Sequence, residues 1–194
     1  MIGRPNVSAE EIGALIEKDQ VLSAKVLRLA NSPFYGFPSR IASVAHAVVV
    51  LGLNVVKGLT LCATAFDMMR NAGMNELWRH SLGVAMTAHI LGTKAAMKNP
   101  EEVFVAGLLH DIGKVVLYVK WPDVGQRITA VTRNTSQPLM DVEQELFEVT
   151  HADVGGWLAS AWHLPTSLRE PILHHHTPAA TQDAKLQTAI VHVA

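Results

Sequence analysis

Apolar residues recur along this chain at helical spacing. Leu22, Val26, Leu29 and Ala30 fall at i, i+4, i+7 and i+8, which puts them on one helix face while Lys25 and Arg28 stay outside the stripe. Asn31 ends that pattern. Upstream, Ser8 followed by Glu11 forms a capping box that opens a short helix reaching about residue 18. Downstream, Pro33 and Pro38 bracket Phe34, Tyr35 and Phe37 in a segment that cannot be helical, because each proline lacks an amide donor and biases its predecessor away from helix. Ser43 caps a helix that reaches Leu51 and stops at Gly52, and Asn54 caps the next, which runs to about Arg70 after a very short turn. A longer helix covers 75–97. Asn99-Pro100-Glu101-Glu102 then supplies a cap, a first-turn proline and two acids suited to the helix dipole. The helix it opens carries Val103, Phe104, Ala106, Gly107 and Leu108 toward His110 and Asp111, with a break at Gly113. Further helices are expected at 122–133, 141–149, 151–162, 167–175 and 184–194. No segment alternates with period two, so the pattern predicts an all-α fold.

Composition agrees with a packed core. Of 194 residues, 49% are hydrophobic and 17% charged, which excludes intrinsic disorder. Lys+Arg 16 against Asp+Glu 17 gives a net charge of -1 and no bulk attraction for nucleic acid or anionic lipid, so nucleic-acid binding rests only on Lys25, Arg28 and Arg40 and is disfavoured. Cys62 is the single cysteine, which rules out an internal disulfide or a thiolate cluster; the chain reads as cytoplasmic, and any metal must use His and carboxylate ligands. Met1 to Glu10 lacks the apolar core of an export signal. The apolar stretch 44–66 is interrupted by His46, Asn54, Lys57 and two glycines, so it reads as two buried helices and a turn and no membrane partner is expected.

The ten histidines are unevenly placed: His46 precedes a soft boundary near 70–73 and the other nine follow it. An amino-terminal helical part, 1–71, therefore joins a part, 72–194, in which chemistry is to be sought. Glu76 and His80, at i and i+4, lie over one another on one helix face and can share an ion. His110 and Asp111 are adjacent and diverge by about 100° on a regular helix, so joint ligation requires a helix end or a distortion, which Gly113 makes available. Lys114 would sit above them as a cation able to hold a phosphate oxygen. His151 follows Thr150 in a first turn, Gly155-Gly156 permits close approach of another helix, and His174, His175 and His176 close the set. Imidazole with carboxylate favours Fe, Mn, Co, Ni or Zn over Mg or Ca. An aspartate bridging two such ions allows two-metal hydrolysis, in which the ions generate a hydroxide nucleophile and neutralise a phosphoryl transition state.

The run Leu108-Leu109-His110-Asp111-Ile112-Gly113-Lys114 resembles the signature of the HD superfamily of metal-dependent phosphohydrolases. More narrowly, 22–32 (LSAKVLRLANS), 41–52 (IASVAHAVVVLG), Trp78-Arg79-His80-Ser81 and 106–114 are similar to the HDOD domain, a bacterial signalling module. The resemblance covers nearly the whole chain, from inside the usual first helix to just short of the last helix's end, and implies an HD-like multi-helix bundle with an amino-terminal helical part. It also implies site residues: His80 matches the first histidine station, His110 and Asp111 the HD pair, and His151 with Gly155 the third station. His175-His176 with Pro178 resembles the paired histidines of HD-GYP phosphodiesterases, and Glu76 lies where some of those enzymes have a further carboxylate ligand. One or two divalent transition metals are thus expected. Two departures matter. The sequence reaches Ala194 where the superfamily's closing aspartate would follow, and Thr177-Pro178-Ala179-Ala180 replaces the elements by which HD-GYP enzymes engage cyclic dinucleotides, which disfavours cyclic di-GMP hydrolysis.

Two functions follow. One is a signalling output or scaffold module that contacts other signalling proteins and retains a His/Asp metal site; the other is a metal-dependent phosphohydrolase of a nucleotide or phosphodiester, with Asp111 holding the metals and Lys114 stabilising the anion. Plain packing or solvent roles are expected for His46 (core), His89, His163 (helix-end carbonyls), Trp157, Trp162, Phe104 and Cys62, and His192 is ambiguous. The 33–38 segment is expected to pack the two helical parts together.

Overall fold

A computed structural model of the chain describes residues 9–35, 37, 39–134 and 137–194. The expected Ser8 cap, Gly36 and Pro38 lie outside them. The described residues form α-helices and two short 3-10 turns, and no strand. In chain order the helices are α1 (Ala9–Glu17), α2 (Gln20–Ala30), α3 (Val44–Leu51), α4 (Leu53–Asn71), α5 (Asn75–Lys94), α6 (Pro100–Leu109), α7 (Ile112–Lys120), α8 (Pro122–Asn134), α9 (Leu139–Phe147), α10 (His151–Ala161), α11 (Thr166–His174) and α12 (Lys185–Val193). Among the described residues, none of these helices is long and apolar enough to cross a membrane.

Local chemistry sets most of the boundaries. The Asp19 carboxylate accepts from the amides of Val21 and Leu22 at 3.0 Å each and starts α2. At its other end Asn31 donates to the Leu27 and Ile41 carbonyls and accepts from the Ile41 amide, which pins the following loop to the helix. Ser43 caps α3 by accepting from His46 N. Asn54 does not cap α4: a single residue, Gly52, with φ of 84°, makes the whole turn, so Asn54 already lies inside the helix. Thr150 and Asp153 form a reciprocal capping box at the start of α10. The break expected at Gly113 falls instead at His110 and Asp111, and Gly113 belongs to α7.

Helices α1, α2 and α3 pack on one another, and α2 and α3 pack on α4, which also contacts α5, α6 and α7. The α5–α6 pair, α7, α10, α11 and α12 surround the histidine-bearing region, while α8 and α9 pack on each other beside α7. A hydrophobic cluster extends from Ile12 on α1 through Val55, Val56 and Leu59 on α4 to Val191 on α12. Tyr35, stacked on Phe37, lies against Phe104 of α6 and His89 of α5, so the proline-bounded segment does join the amino-terminal helices to the histidine-bearing ones. Cys62 and Phe104 are buried as expected. His46 and Trp157 are not: α3 buries Val44, Ala47, Val48 and Leu51 and leaves His46 outside that stripe, and Trp157 is 59% exposed because α10 buries its glycine and alanine face instead.

Candidate metal centre

Four segments distant in sequence bring six of the expected ligands to one point. Asp111, 1% exposed, stands at the centre. Its Oδ2 lies 3.3 Å from His110 Nε2, 3.5 Å from His80 Nε2 and 2.7 Å from Lys114 Nζ, and its Oδ1 lies 3.2 Å from His151 Nε2 and 3.8 Å from His175 Nε2. His80, His110 and Asp111 form one potential ligand triad and His151, His175 and His176 a second. Within them His80 and His110 Nε2 are 3.2 Å apart, His151 and His175 3.3 Å, and His151 and His176 3.0 Å. Imidazole nitrogens bound to one ion at about 2.0–2.1 Å stand roughly 3.0–3.4 Å apart, so these separations suit shared ligation.

Each element contributes for a reason visible in its backbone. Helix α6 ends at His110 and α7 begins after Asp111, whose φ and ψ of -97° and 14° leave the helical region, so the adjacent pair escapes the divergence of a regular helix. Gly113 allows α10 to approach: a Cβ there would sit 1.9 Å from the His151 carbonyl oxygen. Gly155 and Gly156 do the same for α11, where added methyls would meet Ile172 and Leu173 at 2.9 and 2.7 Å.

Hydrogen bonds fix which ring nitrogens face the centre. His110 Nδ1 is 2.7 Å from the Gly107 carbonyl, His175 Nδ1 2.9 Å from the Ile172 carbonyl, and His151 Nδ1 2.5 Å from Glu143 Oε2. These oxygens only accept, so each Nδ1 carries a proton, and in the neutral form of each ring the Nε2 lone pair faces inward. Burial drives His175 down to about 2 and His176 to about 4, with the neighbouring imidazoles adding to the effect, and burial also lowers His80 against the pull of Asp111. Desolvation pushes the Asp111 carboxyl up, but the neighbouring His110, Lys114 and His151 hold it well below the usual carboxylate range. Asp111 Oδ1 is buried with no hydrogen-bond donor among the described residues. With Nδ1 protonated, the Nε2 lone pairs of neutral His110, His151 and His175 face the Asp111 oxygens and one another and repel; a cation at that point turns the repulsion into ligation. The residues present fit a transition-metal ion.

Two expected site residues lie elsewhere or act otherwise. The Glu76 side chain is 87% exposed and paired with Arg79 at 3.0 Å, so its i, i+4 relation to His80 does not bring it into the cluster. Lys114 does not stand free for an anion: its position three residues after Asp111 in the first turn of α7 ties its ammonium to Oδ2. His174 is half-buried and belongs to neither triad. Sequence reasoning missed Glu143, which is fully buried and accepts from both His151 N and Nδ1. A glutamate inside an apolar stripe was the only signal for it. His192 donates to the His175 carbonyl at 2.6 Å and so supports that ligand from α12. A cleft of about 480 Å³, lined by His80, His110, His175, His176 and His192 among others, opens onto the centre.

A sequence model of the HDOD domain matches residues 1–178. An uncharacterized protein of Treponema pallidum (strain Nichols) is 27% identical over 190 residues, 95% of this chain and 37% of the relative. The crystal structure of an HDOD domain protein with unknown function from Geobacter sulfurreducens is 32% identical, superposes with a TM-score of 0.71, and is matched over 98% of this chain and 65% of its own. The MmoQ response regulator of Methylococcus capsulatus str. Bath is 25% identical with a TM-score of 0.52 over 97% of this chain and 78% of its own. The chain thus spans less than two thirds of the Treponema and Geobacter proteins.

Proposed function

This chain belongs to the HDOD family, and from that premise we propose that it is a signal-transduction module that works through contacts with other signalling proteins and holds a His/Asp metal centre. The observation that carries the reading is the convergence of imidazole Nε2 atoms and the undonated Asp111 oxygen on one point reached from α5, the α6–α7 joint, α10 and the end of α11. His80, His110, Asp111, His151, His175 and His176 would hold one or two ions of Fe, Mn, Co, Ni or Zn. When bound, such an ion supplies positive charge and Lewis acidity. The chain's own residues fix four segments around it, and α4, packed on both α6–α7 and the amino-terminal helices, carries that arrangement to the far side of the molecule. A relative named a response regulator supports the signalling role. Elemental analysis of protein purified without an affinity metal, followed by hydrogen exchange before and after chelation, tests the proposal. Bound transition metal and a loss of protection in α4, α10 and α11 on chelation are expected; metal-free protein, or exchange indifferent to chelation, refutes it.

A second reading, a metal-dependent phosphohydrolase, is favoured by the cleft, which gives a small phosphate-bearing molecule a route to His80 and His176. A panel of phosphate esters assayed with Mn, Fe or Ni decides it: turnover abolished by Asp111→Ala supports the enzyme, and none from metal-loaded protein removes it.

A further inference from the structure

We propose that Glu143 is the positioning residue of the metal centre: from α9, its carboxylate locks His151 in the Nδ1–H tautomer and makes Nε2 a stronger, correctly aimed ligand. The inference rests on the metal reading above and deepens it.

The geometry is specific. Glu143 Oε2 accepts from the His151 backbone amide at 2.9 Å and from its Nδ1 at 2.5 Å, so one oxygen both caps the start of α10 and sets the ring. With Nδ1 so held, the opposite nitrogen points at Asp111 Oδ1, His175 and His176. His110 and His175 are held differently, by neutral carbonyls three residues earlier, Gly107 and Ile172. Only His151, among these three, is backed by a charge, and that charge comes from another helix. A carboxylate behind a ligating imidazole raises its basicity as well as fixing its orientation.

A structural role alone does not account for a carboxylate here. Glu143 is completely buried, and its Oε1 has no hydrogen-bond partner among the described residues, an expensive arrangement when a neutral side chain could cap an amide as Thr150 caps Asp153 N. The surrounding groups do not balance it either. With His151 held as the neutral Nδ1–H tautomer, two buried carboxylates, Glu143 and Asp111, face one largely buried ammonium, Lys114. Tyr118, the neighbouring phenol, is held protonated by burial and by Glu143 and Asp111, and adds no positive charge. A cation on the far side of the His151 ring supplies the missing charge through the imidazole.

Two variants and two readouts test this. Glu143→Gln keeps shape and one acceptor but removes the charge; Glu143→Met removes the acceptor. In metal-free protein, nitrogen NMR of the imidazoles should show His151 with a bare Nε2 in the wild type and a shift toward the Nε2–H tautomer in Glu143→Met. Titration with Co²⁺, followed by its visible absorption, should show Glu143→Gln binding about 10- to 100-fold more weakly, with an altered spectrum and a metal-free melting temperature near that of the wild type. Unchanged Co²⁺ affinity in Glu143→Gln overturns the inference while leaving the metal centre standing. Wild-type protein that takes up no Co²⁺ sinks the metal reading and the inference's metal role with it, and an unchanged His151 tautomer in Glu143→Met overturns the positioning by itself.

Discussion

Asp111 does two jobs that single substitutions can separate. Its Oδ2 neutralises Lys114 and its Oδ1 faces the second triad. Removing the carboxylate leaves a largely buried ammonium unpaired, an arrangement that destabilises by about 3–5 kcal/mol. Asp111→Ala should therefore lower the denaturation midpoint strongly, and adding Lys114→Met should restore most of the loss without restoring metal uptake. Chemical denaturation with parallel metal analysis checks both halves; recovery of metal binding in the double variant would show that Asp111 is no ligand. The histidines give a pH prediction for the metal-free protein. Their folded values, about 2 for His175 and about 4 for His176, lie below the ordinary 6.5 because burial opposes the charged ring. Between those values the unfolded chain binds protons that the native one refuses, so stability rises with pH there. It is complete above about 6.5 and declines as pH falls toward 4 and below. Melting temperature measured from pH 7 to pH 4 should fall, and His175→Gln should flatten the decline.

At the scale of elements, Glu17, Glu143 and Glu170 each supply a carboxylate to the start of a helix other than their own. Glu17 of α1 accepts from Val44 N of α3, Glu143 of α9 from His151 N of α10, and Glu170 of α11 from Ala184 N just before α12, across separations of 27, 8 and 14 residues. This explains what was legible in the sequence. Caps acting within three residues, such as Ser43, and stripes such as Leu22 to Ala30, can be read directly, and they place most helix boundaries within about two residues. The His110-Asp111 pair stood out by residue type, whereas His175-His176 was separated from His174 only by the resemblance to HD-GYP enzymes, since residue type alone leaves all three histidines as candidates. Glu143 was not legible, since its meaning depends on α9 meeting α10, and Glu76 misled because i, i+4 spacing defines a face without saying which way the face points. Helix contact also makes a sharp test at Gly113. A methyl there would collide with the His151 carbonyl at 1.9 Å, a backbone atom that cannot swing aside. Gly113→Ala should force α7 and α10 apart, destabilise the fold by about 1–3 kcal/mol and weaken metal binding in parallel. Calorimetry and metal titration on the same sample would expose the error if stability fell while affinity held.

Across the whole molecule, α4 is the shared wall. Lys25 of α2 pairs with its Asp67, Phe66 packs on Trp78 of α5 at 4.5 Å between centroids, and Gly58 admits Val105 of α6. The ligands lie on the other side of that wall, spread from residue 80 to residue 176, so an ion held by both triads closes a network that no local unfolding event can leave intact. Metal binding should therefore stabilise the fold globally rather than loosen or tighten one helix. At a free metal concentration 100 times Kd the gain is about 2.7 kcal/mol, which for a chain of this size raises the melting temperature by about 5–11 °C. Calorimetry of metal-loaded protein, repeated after chelation, measures the shift directly. Hydrogen exchange supplies the spatial half of the test: the amides of buried Val55, Val56 and Leu59 on α4, which supply no ligand, should gain the same protection as those of α10. A gain confined to α10 and α11 would mean that the ion sits in the second triad alone and that His80 and His110 do not take part.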